Sequence, residues 1–455
     1  MSTHDREPLE HTYRFAPRDR TGWLLGLQGP QLAIIAAGIV AAALTATRVG
    51  LVAAALVLVA ALSAAFGRIR GEPASAWLTA ATRFWSRPKT SFTPIPGHGA
   101  AKTEANFPGA LASARVIDSE AFAWAGPHRV GLVANRRERA LTGVIRVRGR
   151  RFALAERAEQ ERLVHLWGEA IGAFCRERTP IRHVSWSHWS TPTAAATPLP
   201  NGVTEETFAD YETAARRLVA TEHDVLITVT VTRGRTAATT LSEQLRLLTL
   251  RLEDAGLLVD PPLSATDLRR AVARRCDPEA TATGPLGSKN AWRHLTMGAS
   301  LHAAMWVAEW PRCDLPPNWL EPMLMASVGT RSFTLSCRPV PPSRSRRQIE
   351  RDVTRLTSDA EQRTRHGFRL STTHRRVRDS VEQREAELGA GHAELTFVGI
   401  LTATAPHPAQ LETTIAELEQ VAAQAGLVLA RLDGRHDLAF AAALPLGFDL
   451  QRRNQ

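Results

Sequence analysis

The sequence lacks the close cysteine and histidine pairs from which metal and redox sites are usually built. Its four cysteines, Cys175, Cys276, Cys313 and Cys337, are far apart, and this spacing is typical of a protein from a reducing compartment. The fifteen histidines are scattered as well, and the HExxH motif does not occur. The sequence therefore supports no metal site and no cofactor.

Motifs of the common nucleotide-binding and hydrolytic enzymes are also missing. The phosphate-binding loop GxxxxGK[ST] does not occur, and the nearest stretch, GPLGSKN at residues 284–290, ends in Asn, so we interpret it as a turn. The GxSxG motif of serine hydrolases does not occur either. Two isolated pairs, His183 with His188 and Asp433 with Asp437, are typical of strands and turns. We therefore predict a protein that is not an enzyme.

Acidic residues are the scarcer charged type, because 45 Asp and Glu stand against 56 Lys and Arg, which gives a net charge of +11. This excess favours an acidic partner, such as anionic lipid headgroups or nucleic acid. Guanidinium groups pair well with carboxylates and phosphates, and the candidate contacts for such a partner are Arg344, Arg346, Arg347, Arg351, Arg355, Arg375, Arg376 and Arg378. A second arginine-rich region comprises Arg136, Arg137, Arg139, Arg146, Arg148, Arg150 and Arg151. The alternative is a solvated helix face, because the first set is interspersed with Glu350, Asp352, Asp359 and Glu361.

Two long apolar runs near the N-terminus are the most informative feature that the sequence does contain. They cover residues 32–47 and 49–66, with Arg48 as the only charge between them. A helix of 18 residues rises about 27 Å, which is close to the roughly 30 Å of a hydrocarbon core. One helix through Arg48 would place that charge near mid-bilayer at a cost of about 2.5 to 3.5 kcal/mol. We therefore predict a break at Arg48 and Gly50 and a hairpin of two transmembrane helices.

Two alternatives compete with a membrane hairpin. A cleaved signal peptide would end in a small-residue cleavage site, but a second apolar run follows the first. A buried helical pair in a soluble protein is the other alternative, although helices of that kind usually have a polar face and neither run shows one.

The charges that flank the hairpin predict its orientation. Arginines precede and follow it at positions 14, 18, 20, 68 and 70, whereas the connecting turn carries only Arg48. Under the positive-inside rule both termini should face the cytoplasm, so we expect a multi-pass protein of the inner (plasma) membrane. A helix over 73–85 should lie along the membrane surface. The residues expected to anchor the protein are Trp23, Arg48, Trp77 and Trp85.

Composition divides the chain into five segments. We expect a cytoplasmic N-terminal segment at 1–30, a transmembrane helical hairpin at 31–67, a juxtamembrane helix and Pro/Gly linker at 68–110, a first α/β lobe at 111–285, and a second α/β lobe at 286–455 with a long helix at 346–388. Periodicity predicts strands over 140–147, 181–189, 225–232, 301–309, 332–337, 395–402 and 438–444. It predicts helices over 156–177, 204–220, 241–255, 346–388 and 409–425.

An internal correspondence links the two lobes. VLITVTV at 225–231, a helix that stops at Gly256 and a returning strand at 257–259 match LTFVGIL at 395–401, a helix that stops at Gly426 and a strand at 427–429. The offset is 170 residues throughout. Each copy is a strand, a helix and a strand, which is typical of a split βαβ unit. The predicted fold class is α+β, with two ferredoxin-like lobes after the hairpin and a long helical insertion.

The segment TYRFAPRDRTGWLLGLQGPQ at 12–31, followed at once by a two-span hairpin, resembles the PrgI-like membrane proteins of actinobacterial conjugative elements. The remainder is similar in layout to the non-motor N-terminal half of type IV secretion traffic ATPases, and AFAAALPLG at 439–447 is similar to the segment that closes that half. No motor domain follows before residue 455. The resemblance therefore implies a scaffold, with any ATPase on a separate chain.

These observations lead to one main functional hypothesis and two alternatives. The main hypothesis is a non-enzymatic structural subunit of a conjugative, type IV-like secretion and DNA-transfer apparatus, which anchors and docks a separate traffic ATPase. The alternatives are a type VII secretion membrane component similar to EccE and a membrane-tethered DNA-binding module. The expected partners are membrane lipids, the traffic ATPase and other transfer-apparatus subunits, and both a homo-oligomer and a DNA contact stay open.

Overall fold

The computed structural model describes residues 29–69, 72–92, 107–149, 152–194, 219–279, 287–365 and 372–450. The helices of these residues are α1 (Gly29–Arg48), α2 (Leu51–Phe66), α3 (Ala74–Trp85), α4 (Arg157–Gly172), α5 (Ala237–Asp254), α6 (Ala265–Cys276), α7 (Glu321–Met325), α8 (Pro342–Arg365), α9 (Thr372–Gly389), α10 (Pro408–Gln424) and α11 (His436–Ala443). The strands are β1 (Arg68–Ile69), β2 (Glu72–Pro73), β3 (Thr90–Phe92), β4 (Ala114–Ser119), β5 (Val130–Asn135), β6 (Ala140–Arg148), β7 (Ile181–Ala194), β8 (Val219–Thr232), β9 (Leu258–Val259), β10 (Gly287–Asn290), β11 (Leu295–Met297), β12 (Ser300–Glu309), β13 (Thr330–Pro339), β14 (Leu395–Ala405) and β15 (Val428–Arg431).

Most predicted elements are present with bounds shifted by a few residues. The strands predicted near 140, 181, 225, 301, 332 and 395 are confirmed as β6, β7, β8, β12, β13 and β14. The helices predicted over 156–177, 241–255 and 409–425 are confirmed as α4, α5 and α10. The helix predicted over 204–220 lies outside the described residues, except for its last two positions, which begin β8.

Thirteen strands form one large antiparallel sheet, so the fold is α+β. The strand order is β3-β10-β11-β12-β14-β13-β7-β8-β6-β5-β4, with β15 paired to β12 and β9 paired to β6. β1 and β2 form a separate two-stranded ladder between α2 and α3. Because β3 follows α3 directly and pairs with β10, the segment that leaves the hairpin enters the large sheet at its edge.

The same four-strand order occurs twice in the sheet. One half has the order β9-β6-β8-β7, and the other has the order β15-β12-β14-β13. α5 and α10 occupy equivalent places, since they end at Asp254 and Gln424 and are followed by Gly256 and Gly426 with positive φ angles of 77° and 72°. The halves join edge to edge, because β7 pairs with β13 in a continuous register from Val184 to Ser190.

Apolar residues pack on both faces of the sheet. On one face α4 and α5 cover the first half, and α7 and α10 cover the second. Trp186 contacts both of these clusters and meets Phe333 edge-on at 5.9 Å across the joint. On the opposite face α6, α11 and the buried segment after α11 form one core with residues from both halves, such as Leu226 and Ile400. This shared core fixes the two halves in one body.

The strand predicted over 438–444 is wrong, because these residues belong to α11 and the turn after it. A short apolar run fits a buried helix as well as a buried strand, and Ala, the strongest helix former, fills four of its positions. The helix ends against the joint of the two halves, where the Ala443 carbonyl accepts hydrogen bonds from Thr334 Oγ1 at 3.1 Å and Ser187 Oγ at 3.4 Å.

The single long helix predicted over 346–388 is also wrong, because two separate helices, α8 and α9, occupy this stretch. They lie side by side, with Arg384 Nη1 of α9 at 3.6 Å from Asp352 Oδ2 of α8. The physical reason is amphipathic pairing: Leu356 and Val381 line the same groove between the helices, which shields apolar surface that one extended helix would leave in water.

Candidate interaction surfaces

α1 and α2 pack against each other as an antiparallel pair. α1 ends at Arg48, and Gly50, with a positive φ of 117°, forms the turn before α2, so the predicted break is confirmed. A Cβ atom on Gly38 would lie only 2.3 Å from Ala61 Cβ, which shows how closely the helices approach. Gln31 Nε2 donates a hydrogen bond to the Ala65 carbonyl at 3.0 Å and fastens the open end of the pair.

The outer surface of this pair is apolar. Eleven of the nineteen large apolar side chains that the described residues expose lie between Ile39 and Phe66. One helix segment, Gln31–Arg48, is long and apolar enough to cross a membrane, with a mean hydropathy of 1.6. α2 is a shorter apolar helix of 16 residues. An exposed apolar surface of this size is typical of a site that contacts a membrane or another protein.

α3 connects the helical pair to the sheet. The ring of Trp292, in the turn between β10 and β11, lies 5.9 Å from Trp77 and 5.3 Å from Phe84, which it meets edge-on. Arg87 Nη1 lies 3.6 Å from Asp437 Oδ2 at the start of α11. These contacts hold α3 on the second half of the sheet.

The predicted membrane anchors have different surroundings. Trp77 is half-buried and faces Trp292, whereas the side chain of Trp85 is 74% exposed. Arg48 is exposed at the end of α1. Trp23 lies outside the described residues, as do the predicted flanking arginines at positions 14, 18, 20 and 70.

The paired helices α8 and α9 carry the arginines that the sequence singled out. Arg384 at their base pairs with Asp352 and with Glu394, which precedes β14. Ile349 and Leu356 are buried, so α8 is fixed to the body along one side. Further out, a groove of about 580 Å³ separates the two helices and has apolar side chains on its floor.

The candidate arginines divide into paired and unpaired groups. Arg378 pairs with Glu382 at 2.7 Å, and Arg355 pairs with Asp352 at 3.6 Å. Arg347 Nε donates to the Ser343 carbonyl at 3.1 Å. Of the candidate arginines among the described residues, Arg346 acts on Glu177 through its charge, and the exposed Arg344, Arg351, Arg375 and Arg376 form no ion pair.

The N-terminus of α8 binds the carboxylate of Glu177. The Ser343 backbone N–H donates to Glu177 Oε2 at 3.1 Å. Hydrogen bonds from Ser343, together with the charges of Arg347 and Arg346, hold the pKa of Glu177 below its ordinary value. This end of α8 therefore already stabilises an acidic side chain of the first half.

Some arginines of the second arginine-rich region form ion pairs within the protein. Arg146 Nε donates to Asp224 Oδ1 at 2.8 Å, and Arg148 pairs with Asp260. Arg136 and Arg137 are exposed in the turn between β5 and β6, and Arg150 and Arg151 lie outside the described residues.

The isolated residue pairs noted in the sequence do not form sites. His183 lies near Asp449 at 3.9 Å, whereas His188 Nε2 lies 3.0 Å from His223 Nδ1. Asp433 is near Arg431 and His436, whereas Asp437 faces Arg87. Among the described residues, no three His, Cys, Asp or Glu side chains come together in a way that could hold a metal ion.

Comparison of the chain with protein-family models and with curated proteins finds no match. Sequence reasoning missed Trp292 and its contact with Trp77, because the two residues are brought together only by the pairing of β3 with β10.

We expect one cysteine of the folded protein to react with a maleimide near neutral pH. Cys313 is exposed, whereas burial raises the pKa of Cys276 and of Cys337 to about 12 and also raises that of Cys175. The thiolate is the reactive form, so intact-mass spectrometry should show one adduct per chain and none in Cys313→Ser. In denaturant, all four cysteines of the wild-type protein should react, which gives four adducts per chain. Rapid labelling of two or more thiols in the folded protein would contradict this assignment.

Proposed function

We propose that this protein is a non-enzymatic structural subunit of a conjugative, type IV-like secretion and DNA-transfer apparatus. It is anchored in the inner membrane by α1 and α2 and docks a separate traffic ATPase on α8 and α9. The observation that carries the proposal is an apolar helical pair attached to a two-part α/β body, from which a second, arginine-rich helical pair extends.

Both α1 and α2 cross the bilayer in this proposal. α1 has the length and hydropathy of a span, and α2 packs antiparallel beside it, so a bilayer around α1 also surrounds α2. The 16 residues of α2 rise about 24 Å, and a small mismatch of this kind is met by local thinning of the bilayer. The exposed side chains of Leu51, Val52 and Leu56 then face lipid rather than water.

The two halves of the sheet are ferredoxin-like lobes in this proposal. The order β9-β6-β8-β7 is the fourth, first, third and second strand of a βαββαβ unit, and β15-β12-β14-β13 repeats it. Two such lobes after a hairpin fit the resemblance to PrgI-like proteins and to the non-motor half of traffic ATPases. The PrgI-like segment at 12–31 falls almost entirely outside the described residues.

The docking surface is the exposed side of α8 and α9. Arg344, Arg351, Arg375 and Arg376 extend into solvent without carboxylate partners among the described residues, so an acidic surface could pair with them without first breaking internal ion pairs. Guanidinium groups favour bidentate contacts with carboxylates. A motor that acts at a membrane needs a fixed position relative to the pore, and this surface is connected to the membrane anchor through the sheet and α3.

The test is co-purification of a traffic ATPase from mild detergent extracts of cells that carry the whole apparatus. We expect Arg375→Glu/Arg376→Glu to reduce recovery of the ATPase at least tenfold, because two attractive contacts become repulsive. The matched control is Arg136→Glu/Arg137→Glu, which makes the same change of charge in the turn between β5 and β6 and should leave recovery unchanged. Recovery of the wild-type protein with no ATPase would contradict the proposal.

The unpaired arginines also suit phosphates, so membrane-tethered DNA binding is the second candidate. It predicts retardation of duplex or single-stranded DNA at low salt, with an affinity that falls steeply as salt rises. Arg375→Glu/Arg376→Glu would then abolish retardation as well. If the wild-type protein retards no DNA at low salt, docking of an acidic protein surface is the remaining role for these arginines. Identification of the recovered ATPase also separates the type IV proposal from a type VII component similar to EccE.

A further inference from the structure

A cavity of about 380 Å³ lies where α3 meets the second half of the sheet. Its walls come from α3, the turn between β10 and β11, α10 and β15. Trp77 forms one side, and Ile415 and Leu429 contribute apolar surface on the other. The cavity therefore combines an aromatic ring and an apolar wall with the charged side chains of Arg293, Glu412, Glu419 and Arg431.

The two arginines of the cavity differ in how far they are paired. Arg431 is buried, with its side chain 8% exposed, and it binds both oxygens of Glu412 at 2.9 and 3.1 Å. Arg293 shares the same carboxylate, with its Nη2 3.4 Å from Glu412 Oε1, and its side chain remains 58% exposed. The hydrogen bonds of Arg431 hold the pKa of Glu412 below its ordinary value. Arg431 is thus paired with Glu412 and also with Asp433, whose Oδ1 lies 3.4 Å from the Arg431 Nε, whereas the exposed Arg293 keeps donors for a further anion.

The cavity also contains a carboxylate that is not paired with these arginines. Glu419 lines the same cavity two helical turns after Glu412 on α10, and it is exposed. It forms no ion pair with any described residue. The Trp77 ring is also part of the wall, and an indole face attracts a cation. A ligand with an anionic and a cationic end would therefore find a partner for each.

The cavity lies close to the base of the helical pair. α2 ends at Phe66, α3 begins at Ala74, and Trp77 is in the first turn of α3, which contacts α2. With α1 and α2 in the bilayer, the cavity opens at the level where phospholipid headgroups lie. The apolar wall next to the charged groups matches the boundary between a headgroup and its acyl chains.

We propose that this cavity binds the headgroup of one aminophospholipid, with the phosphate on Arg293 and the primary ammonium between Glu419 and Trp77. The inference rests on the membrane anchoring proposed above. A purely anionic headgroup would leave Glu419 without a counter-ion and place a second negative charge near it. A quaternary ammonium would lack the N–H donors that the Glu419 carboxylate accepts.

The experiment uses the full chain in a maltoside detergent with equal amounts of dioleoyl phosphatidylethanolamine, phosphatidylglycerol and phosphatidylcholine, followed by native mass spectrometry. The expected result is retention of one phosphatidylethanolamine per chain. Arg293→Ala and Glu419→Gln should each reduce that retention about tenfold, which corresponds to about 1.4 kcal/mol. The matched control is Arg312→Ala, an exposed arginine paired with Glu309 in the same half, and it should retain the lipid. Equal retention of phosphatidylglycerol, or no effect of either variant, would overturn the proposal.

Two further arms separate the sources of failure. Water-soluble glycerophosphoethanolamine carries the headgroup without acyl chains, and its displacement of the lipid at equimolar amount would overturn a lipid site in favour of a free-headgroup site. Extraction of cell membranes with alkaline carbonate tests the anchor alone. If the chain stays in the carbonate pellet but retains no phosphatidylethanolamine, the membrane anchor is supported and the lipid site is overturned. If the chain is extracted by carbonate but retains the lipid, the lipid site is supported and the membrane anchor is overturned.

Discussion

Replacing Asp224 by alanine is expected to lower the free energy of unfolding by about 3 to 5 kcal/mol, because the change leaves a buried guanidinium without its counter-ion. Asp224 Oδ2 lies 3.0 Å from Arg275 Nη2, and the Arg275 side chain is only 3% exposed. Burial alone would raise the pKa of Asp224, but Arg275 and Arg146 outweigh it and hold the pKa below its ordinary value. The carboxylate is therefore charged in the folded state.

Urea unfolding of the full chain in detergent measures this effect. The double variant Asp224→Leu/Arg275→Met removes both charges and should cost far less than Asp224→Ala, since a buried ion pair can be replaced by apolar groups of similar size. The control is Glu222→Ala, which removes the partner of Arg274 in a neighbouring pair whose side chains are 47% and 41% exposed. It should cost less than about 1 kcal/mol. Equal losses for Asp224→Ala and the double variant would contradict a dominant buried charge.

The stability of the protein is expected to fall steeply as the pH decreases from about 6.5 toward 4. Burial lowers the pKa of His183 and His302 to about 4 and that of His188 to about 3. These rings stay neutral in the folded chain, whereas the unfolded chain takes up protons below its ordinary pKa near 6.5. The stabilisation is thus complete above pH 6.5 and is lost as the pH falls through the window between the two values.

Each histidine contributes up to roughly 1.4 kcal/mol per pH unit in this window, so three of them destabilise the fold by roughly 5 kcal/mol between pH 6.5 and 5. Charged and titratable neighbours modify the pKa of each histidine. Those of His183 are Asp449, Arg182 and Arg338. Those of His188 are His223, Arg331, Arg275 and Asp224, and that of His302 is Asp277. The total is comparable to the whole stability of a typical domain.

One histidine offers a clean variant for this prediction. His302 Nε2 donates to the Cys276 carbonyl at 2.8 Å, and its Nδ1 accepts from Thr404 Oγ1 at 2.9 Å, so the neutral ring meets both partners. A glutamine amide has one donor and one acceptor group and does not titrate, so His302→Gln should reduce the pH slope of stability by about one proton. His165, with a side chain 65% exposed, provides the control His165→Gln, which should leave the slope unchanged. An unchanged slope in His302→Gln would show that another group controls the acid response.

The central strands of the sheet could be predicted where β-branched and apolar residues dominate the run, as in VLITVTV of β8. α6 was missed although it carries a usable signal. Ser264 caps its N-terminus by accepting a hydrogen bond from the Asp267 N–H at 3.1 Å, and Leu268, Val272 and Cys276 repeat at every fourth position. The four arginines between Leu268 and Cys276 made this apolar pattern hard to recognise.

The joint between the two halves of the sheet and the partners of single side chains could not be predicted. The run over 438–444 is short enough to suit a strand or a helix, and only its burial by both halves of the sheet selects the helix. The pairing of Asp224 with Arg275 and the contact of Trp77 with Trp292 depend on strand register and helix placement, which single-residue types do not encode. The unpaired arginines of α8 and α9, by contrast, were identifiable from charge alone.

Cysteine labelling in intact cells tests the proposed transmembrane hairpin most directly. In a Cys313→Ser background, Val49→Cys places a thiol in the turn between α1 and α2, where the Val49 side chain is 73% exposed. A membrane-impermeant maleimide should label Val49→Cys in spheroplasts whose inner membrane is intact. In the wild-type chain, the same reagent should label Cys313 only after lysis. Labelling of Cys313 in sealed cells, or recovery of the whole chain in the soluble fraction without detergent, would contradict a double crossing with the sheet on the cytoplasmic side.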